Sequence, residues 1–251
     1  TRVRSSAASD VYKRQVARLR VVSGQQLRRL NYEDSPAGQR LARYDLSRLT
    51  EWRVLARLRR RVPGVRSAEG FVYTLDVVGK RLVAPGRRRY RAPWTPNLDF
   101  LDHSLAVAEL YVQLREREGL GQTEIATFDT EPACWRAFVG LGGQRVVLKP
   151  DAYVVVTSGD YEDRYFVEVD RSTEALPRIT DKGRLYARYW QTGHEQEAHG
   201  IYPQVLWIAL DEGRREQLAG ALGRLDAEAW RLFRTSTSAA AIEAITEGAA
   251  E

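Results

Sequence analysis

The chain has 251 residues, enough for one large domain or two modest ones, and its 43% of hydrophobic residues is ordinary for a globular protein. No apolar run approaches the length of a membrane span and no secretory signal is read; the single cysteine, Cys134, excludes an internal disulfide framework. A reducing bacterial cytosol is therefore the expected location. Charge divides the chain: residues 1–92 hold 23 Lys+Arg against 7 Asp+Glu, while 93–251 hold 16 against 26. Such asymmetry suggests two units with different tasks, and a half this basic usually meets a polyanion. The alternative is an Arg-rich surface that is merely solvated.

The opening TRVRSSAASDVYKRQ is unlike the rest of the chain, and residues 1–14 are expected to be a non-native leader. Val16–Tyr32 reads as a helix end, a cap at Ser23 and a second helix, with Gln26 three residues after Ser23 completing a capping box. Leu27 and Leu30 supply that helix's apolar stripe. In EDSPAGQRLARYDLSRLTEW, Ser35 is a candidate N-cap and Pro36 suits the first helical position. Leu41, Tyr44 (or Asp45), Leu46 and Leu49 recur at helical spacing, with Arg40, Arg43 and Arg48 mostly outside the stripe. VLARLRRRV and FVYTLD read as two strands joined by PGVRSAEG, and VVGKRLV as a short closing helix.

Three helices followed by a two-stranded wing is the order of a winged helix-turn-helix, expected over residues 15–83. In that arrangement a recognition helix enters the major groove and arginines meet phosphates. Arg40, Arg43 and Arg48 are the groove-facing candidates; Arg59, Arg60, Arg61 and Arg66 are the wing candidates. Some winged helices bind only protein, which is the competing interpretation. Residues 84–97, with three prolines and clustered arginines, read as a basic linker.

The acidic part, 98–235, opens with an amphipathic helix over Leu98–Glu118, whose Phe100, Leu101, Leu105, Ala108 and Val112 keep one period. Glu109 lies off that stripe and is a minor site candidate; His103 is expected to be packed. Strand-like segments come next: TEIATFDT, RAFVG, QRVVLKPDAYVVV and RYFVEVD. With TSGDYED as the turn, the last two form an antiparallel hairpin. Centred between residues 160 and 161, it opposes Asp151 to Asp170 and Tyr153 to Glu168, so that Asp151, Glu168 and Asp170 converge. Val154, Val156, Val167 and Val169 then share the other, buried face. A one-residue slip would destroy this arrangement. Ser172 or Thr173 is expected to cap a helix reaching about Trp190, burying Leu176, Ile179, Gly183, Tyr186, Ala187 and Trp190, with Lys182 near Arg178 and Tyr186. PQVLWIAL is a buried strand and DEGRREQLAGALGRL the helix after it. The expected fold class is α/β (α+β), with a mixed sheet. The Ala-rich stretch 236–251 is expected to be frayed or disordered.

Converging carboxylates need a cation. PD…EVD behind an amphipathic helix, followed by strand and helix, resembles the PD-(D/E)xK restriction-endonuclease-like nucleases. Asp151 matches the Asp of PD and Glu168 the first acid of the half-motif; where Lys is expected, the chain has Asp170. Lys182 on the next helix, or Lys149, could supply the ammonium. LKPDAYVVV, FVEVDRSTEALPRI and KGRLYARY, with the basic half before them, are similar to the replication-relaxation family of plasmid and mobile-element proteins over roughly residues 16–235. The resemblance implies Mg²⁺ or Mn²⁺ held by Asp151, Glu168 and Asp170, with Lys182 polarising the nucleophile or the phosphate and Arg171 anchoring the DNA backbone.

Other chemistries have less behind them. His194 and His199 are five apart, not the four that align imidazoles on one helical face, so GHEQEAHG is expected to be a polar loop. Tyr186 and Tyr189 are candidate nucleophiles but sit where a helix usually packs. GLGG lacks the Lys-Ser/Thr of a P-loop and reads as a turn. Three functions stay open: a DNA-binding metal-dependent nickase, a non-catalytic replication initiator or relaxosome accessory factor, and a winged-helix transcription regulator. The expected partner is DNA, with a homodimer and other replication or relaxosome proteins as further candidates.

Overall fold

A computed structural model describes residues 2–61, 70–86, 96–121, 123–159, 161–226 and 228–247, with backbone alone for 2–9 and 59–61. The described residues are mixed α/β and fall into two compact units, 1–112 and 113–251. None of the described helices is long and apolar enough to cross a membrane.

In the first unit, α1 (Arg2–Leu19) contains the stretch expected as a leader, and its Tyr12, Val16 and Leu19 are buried. The two-residue strand β1 (Val22–Ser23) leads into α2 (Gly24–Asn31). Both capping-box bonds form: Ser23 Oγ accepts from Gln26 N–H at 3.1 Å, and Gln26 Oε1 accepts from Ser23 N–H at 3.0 Å. Helix α3 (Pro36–Glu51) is capped by Ser35, with Pro36 in its first turn. Strands β2 (Leu55–Arg61) and β3 (Phe71–Leu75) are antiparallel, and α4 (Val77–Val83) comes after them. The sheet order is β1-β3-β2. Helix α5 (Leu98–Gly119) gives its first fifteen residues to this unit, and Leu101 joins Val21, Leu58 and Val72 in a core cluster. That differs from the expected start of the second unit at residue 98.

The burial of α3 departs from the expected stripe. Gly38, Ala42, Leu46 and Leu49 are buried, whereas Leu41 and Tyr44 are exposed. Both sets keep helical spacing. Gly38 sits against the turn that precedes the helix, where an added Cβ would stand 2.2 Å from the Glu33 carbonyl.

The second unit is built on a five-stranded sheet. Its strands are β4 (Glu124–Thr130), β7 (Ala152–Ser158), β8 (Tyr161–Val169), β9 (Gln204–Ala209) and β10 (Phe233–Thr237), in the order β10-β9-β8-β7-β4. Strands β8, β9 and β10 are parallel; β7 and β4 are antiparallel additions. The crossovers are α6 (Leu176–Gln191) with α7 (His194–His199), then α8 (Glu212–Leu222). A separate hairpin of β5 (Arg136–Val139) and β6 (Arg145–Leu148) turns through GLGG. Tyr153, Val155, Phe166 and Trp207 pack with Ile179, Tyr186 and Tyr189 of α6 in the main core. Between α6 and α8 the approach is close enough that a Cβ on Gly183 would lie 3.0 Å from a Leu222 methyl carbon, and 2.7 Å from one of Leu225 just beyond α8.

Three local expectations change. Helix α6 starts at Leu176 rather than just after Thr173: Ser172 has φ 60° and donates its N–H to Asp170, so it belongs to a turn, and Pro177 suits the first helical turn. The GHEQEAHG stretch is helix α7 rather than a loop. Its Glu195 is buried, accepting from Arg136 Nε at 2.6 Å and Tyr189 Oη at 2.7 Å. Residues 236–247 are not frayed: they finish β10 and form α9 (Ala241–Thr246), where Ala241 and Ile245 are buried one helical turn apart.

Candidate acid–lysine site

The β7–β8 hairpin differs in register from the expectation by two residues. Ser158 pairs with Tyr161 and Tyr153 with Phe166; continued to the strand end, this places Asp151 opposite Glu168. A shift of two preserves every side-chain face. Val154, Val156 and Val167 are buried on the side away from Glu168, as expected, while Val169 at the strand end is only half-buried. The opposite face is buried as well, because α6 and α8 cover it.

The site lies where the parallel strands end at their carboxyl edge, the usual place for ligands in open α/β sheets. Asp151 precedes β7. Its N–H donates to the Val167 carbonyl at 3.0 Å, and its Oδ2 accepts from the Val169 N–H at 2.7 Å. These two backbone bonds fix the carboxylate across the hairpin mouth. Glu168, on β8, is 2% exposed. Its Oε2 accepts from Lys182 Nζ at 2.5 Å and its Oε1 from Tyr186 Oη at 2.5 Å. Lys182 and Tyr186 stand one helical turn apart on α6, so one face of the helix presents a cation and a hydroxyl to the same carboxylate. Lys182 also lies 5.8 Å from the centroid of the Trp207 ring.

Electrostatics follows from burial. Loss of solvent raises the Glu168 carboxyl, to about 8; Lys182 opposes that shift and the Asp151 charge adds to it. Burial works against the Lys182 ammonium, but the Glu168 and Asp151 charges more than offset it, so its pKa rises and it stays protonated. Burial, then the Glu168 charge, drives the Tyr186 hydroxyl well above its ordinary value. A phenol so buried and so hard to ionise is a fixed hydrogen-bond donor, not a nucleophile.

Asp170 does not join the pair. Strand β8 ends at Val169, and the Asp170 N–H donates to the Ile208 carbonyl at 2.9 Å. Its carboxylate is gripped by Arg214 of α8, Nε to Oδ1 at 3.1 Å and Nη2 to Oδ2 at 2.8 Å, with the side chain 1% exposed. The three-acid convergence expected from the hairpin is therefore replaced by two acids and a lysine. Among the described residues no three Asp, Glu, His or Cys side chains form a metal-holding group. Two carboxylates still suit a Mg²⁺ ion that keeps several waters and completes its shell with substrate phosphate. Asp151 and Glu168 fit that smaller role; Asp170 does not.

The other candidates are dispersed. Lys149 is exposed and sits 4.6 Å from the centroid of the Trp135 ring, so Lys182 is the ammonium at the acids. Arg171 is half-buried in the turn after β8. Glu109 belongs to the first unit, where it accepts from Arg29 at 2.5 Å and from Gln26 at 3.1 Å. On α3, Arg40 and Arg43 are exposed and Arg48 is half-buried. The side chains of Arg59, Arg60 and Arg61, all of Arg66, and residues 87–95 of the expected linker lie outside the described residues. Two groups were missed in the sequence: Arg214, which neutralises Asp170, and Tyr186 as a hydrogen-bond donor to Glu168. The first carries no local signal, because its partner lies 44 positions away. The second was visible only as Tyr186 following Lys182 by four residues.

No curated protein and no solved structure matches the chain. The family model described as replication-relaxation matches residues 14–205, a span holding α2, α3, the β2–β3 pair and the acid–lysine site, and the chain belongs to the replication-relaxation family.

Proposed function

We propose that the chain is a DNA-binding protein of plasmid or mobile-element replication or mobilisation, with a winged helix in its first unit and a metal-dependent endonuclease of the PD-(D/E)xK type in its second. The observation that carries the catalytic half is the contact of Lys182 with Glu168 at 2.5 Å beside Asp151. Three elements bring two acids and an ammonium together at the carboxyl edge of a sheet. The DNA-binding half is supported by the order β1-α2-α3-β2-β3 and by the excess of arginine over acids in residues 1–92.

Asp151 and Glu168 would hold one Mg²⁺ or Mn²⁺ ion, which supplies an acidified water and neutralises phosphate charge. Lys182 places its ammonium where negative charge builds on a phosphate. Tyr186 holds the Glu168 carboxylate in one orientation. Arg171 and Arg178 lie at the turn and on the first turns of α6, and are the cations for the DNA backbone near the site.

A second function has its own support. Both Glu168 oxygens already accept hydrogen bonds, and the side chain is 2% exposed. That favours an accessory DNA-binding protein that keeps the fold without turnover. Incubating supercoiled plasmid with Mg²⁺ or Mn²⁺ and comparing wild type, Asp151→Ala and Glu168→Gln separates the two. Nicking lost in both variants supports the nuclease. Plasmid binding without nicking, together with no calorimetric heat for Mn²⁺, supports the accessory protein.

A further inference from the structure

Helix α3 keeps an apolar and aromatic stripe outside the core. Leu41 is 52% exposed, Tyr44 58% and Trp52, just past the helix end, 45%. At 100° per residue these three and Arg48 fall within about 80° of arc, beside the buried face of Ala42, Leu46 and Leu49. The Arg48 guanidinium carbon lies 5.2 Å from the Tyr44 ring centroid and 4.4 Å from that of Trp52. Ring, guanidinium and ring thus form a ladder that rises about 12 Å along the helix. Arg40 and Arg43 are exposed on the flank of this ladder. The nearby acids are occupied: Asp45 accepts from Tyr32 Oη at 2.5 Å and Glu51 from Ser47 Oγ at 3.3 Å.

We propose that this stripe binds single-stranded DNA, with unpaired bases stacking on Tyr44 and Trp52 and phosphates meeting Arg40 and Arg43. The inference rests on the DNA-binding function proposed above and specifies the state of the DNA. Flat rings recognise the faces of bases, and in a duplex those faces are covered by neighbouring pairs. Stacking on aromatics, reinforced by arginine, is the general means of holding a single strand without regard to sequence. Arg48 stands over two rings, so its fork is not extended towards a guanine edge as duplex readout in the major groove requires. A second copy of the chain fits this surface less well, because pairing the stripe with itself would gather Arg40, Arg43 and Arg48 of both copies at one contact. A protein acting where strands separate has use for such a surface.

Fluorescence anisotropy with a labelled dT 20-mer and a 20-base-pair duplex tests this on the full chain. Tyr44→Ala and Trp52→Ala are each expected to weaken the single strand about 5- to 100-fold, leave its salt dependence unchanged, and shift the duplex by less than about twofold. Tyr44→Phe and Trp52→Phe, which keep a ring, are expected to retain affinity. Arg40→Ala/Arg43→Ala should weaken both probes and flatten the salt dependence. Equal losses on both probes, or no loss in either alanine variant, overturn the base-stacking role. So does a wild type that binds only the duplex, which leaves the DNA-binding function standing. Failure of wild type to bind either probe removes that function as well. Conversion of a wild-type dimer to monomer by Tyr44→Ala or Trp52→Ala, with DNA affinity intact, would assign the stripe to self-association instead.

Discussion

Lys182 Nζ stands 2.5 Å from Glu168 Oε2, joining helix α6 to the carboxyl end of strand β8 over a separation of 14 residues. The acid is almost fully buried, while the lysine side chain keeps 27% of its surface exposed. The pair therefore has one end in the core and one end near solvent. Removing the lysine leaves a buried carboxylate without its cation, a change that costs about 3–5 kcal/mol in comparable pairs. Above about pH 8, where Glu168 is ionised, Lys182→Met is expected to lose stability of that order in urea unfolding; at neutral pH, where the native carboxyl mostly keeps its proton, the loss should be smaller. Adding Glu168→Leu to Lys182→Met should recover part of the loss, because the unpaired charge is gone.

Glu168 also gives the fold a pH dependence of defined sign. Its carboxyl titrates near 4.5 when unfolded and is raised to about 8 in the native chain. Between those values the native state binds the extra proton, so this group's contribution to stability falls as pH rises from about 4.5 to 8. Glu168→Gln cannot titrate. Unfolding free energies measured across that window should decline less with pH in the variant than in wild type; parallel curves would show that Glu168 does not carry the dependence.

Asp170 and Arg214 form a second buried pair with a different task. The two-pronged contact leaves the arginine side chain 10% exposed and the aspartate 1%. Arg214→Ala is expected to cost about 3–5 kcal/mol by stranding the aspartate. Asp170→Asn should retain any Mn²⁺-binding heat that wild type shows, whereas Asp151→Asn should remove it. Loss of that heat in Asp170→Asn would return Asp170 to the metal set.

Cys134 reports on unfolding. It is fully buried, and desolvation pushes its thiol up to about 12. The S–H also points to the Pro150 carbonyl at 3.0 Å. Native protein at pH 8 should react with a thiol reagent at least about 1,000-fold more slowly than denatured protein, since the thiolate is the reactive form. Labelling at the rate of an exposed thiol would mean that this part of the core opens readily.

The legibility of the fold followed interaction range. Ser23 with Gln26, and Ser35 with Pro36, were readable because a helix cap is settled within three or four residues. The period-2 pattern of the hairpin placed side chains on the correct faces but missed the register by two, because alternation is unchanged by a shift of two. The same ambiguity affected α3: two stripes share helical spacing, and packing against neighbours chose Ala42, Leu46 and Leu49 over Leu41 and Tyr44.

By itself, the sequence determined the basic and acidic halves, the caps of α2 and α3, the mixed α/β class, the family, and Asp151, Glu168 and Lys182 as the residues to watch. Tertiary structure alone decided that Lys182 reaches Glu168, that Arg214 takes Asp170 away from them, and that Glu109 answers to Arg29 instead. The reason is physical: caps and periodicity are set by neighbours along the chain. The partner of a buried charge is whichever opposite charge the packing of distant elements brings within hydrogen-bond reach.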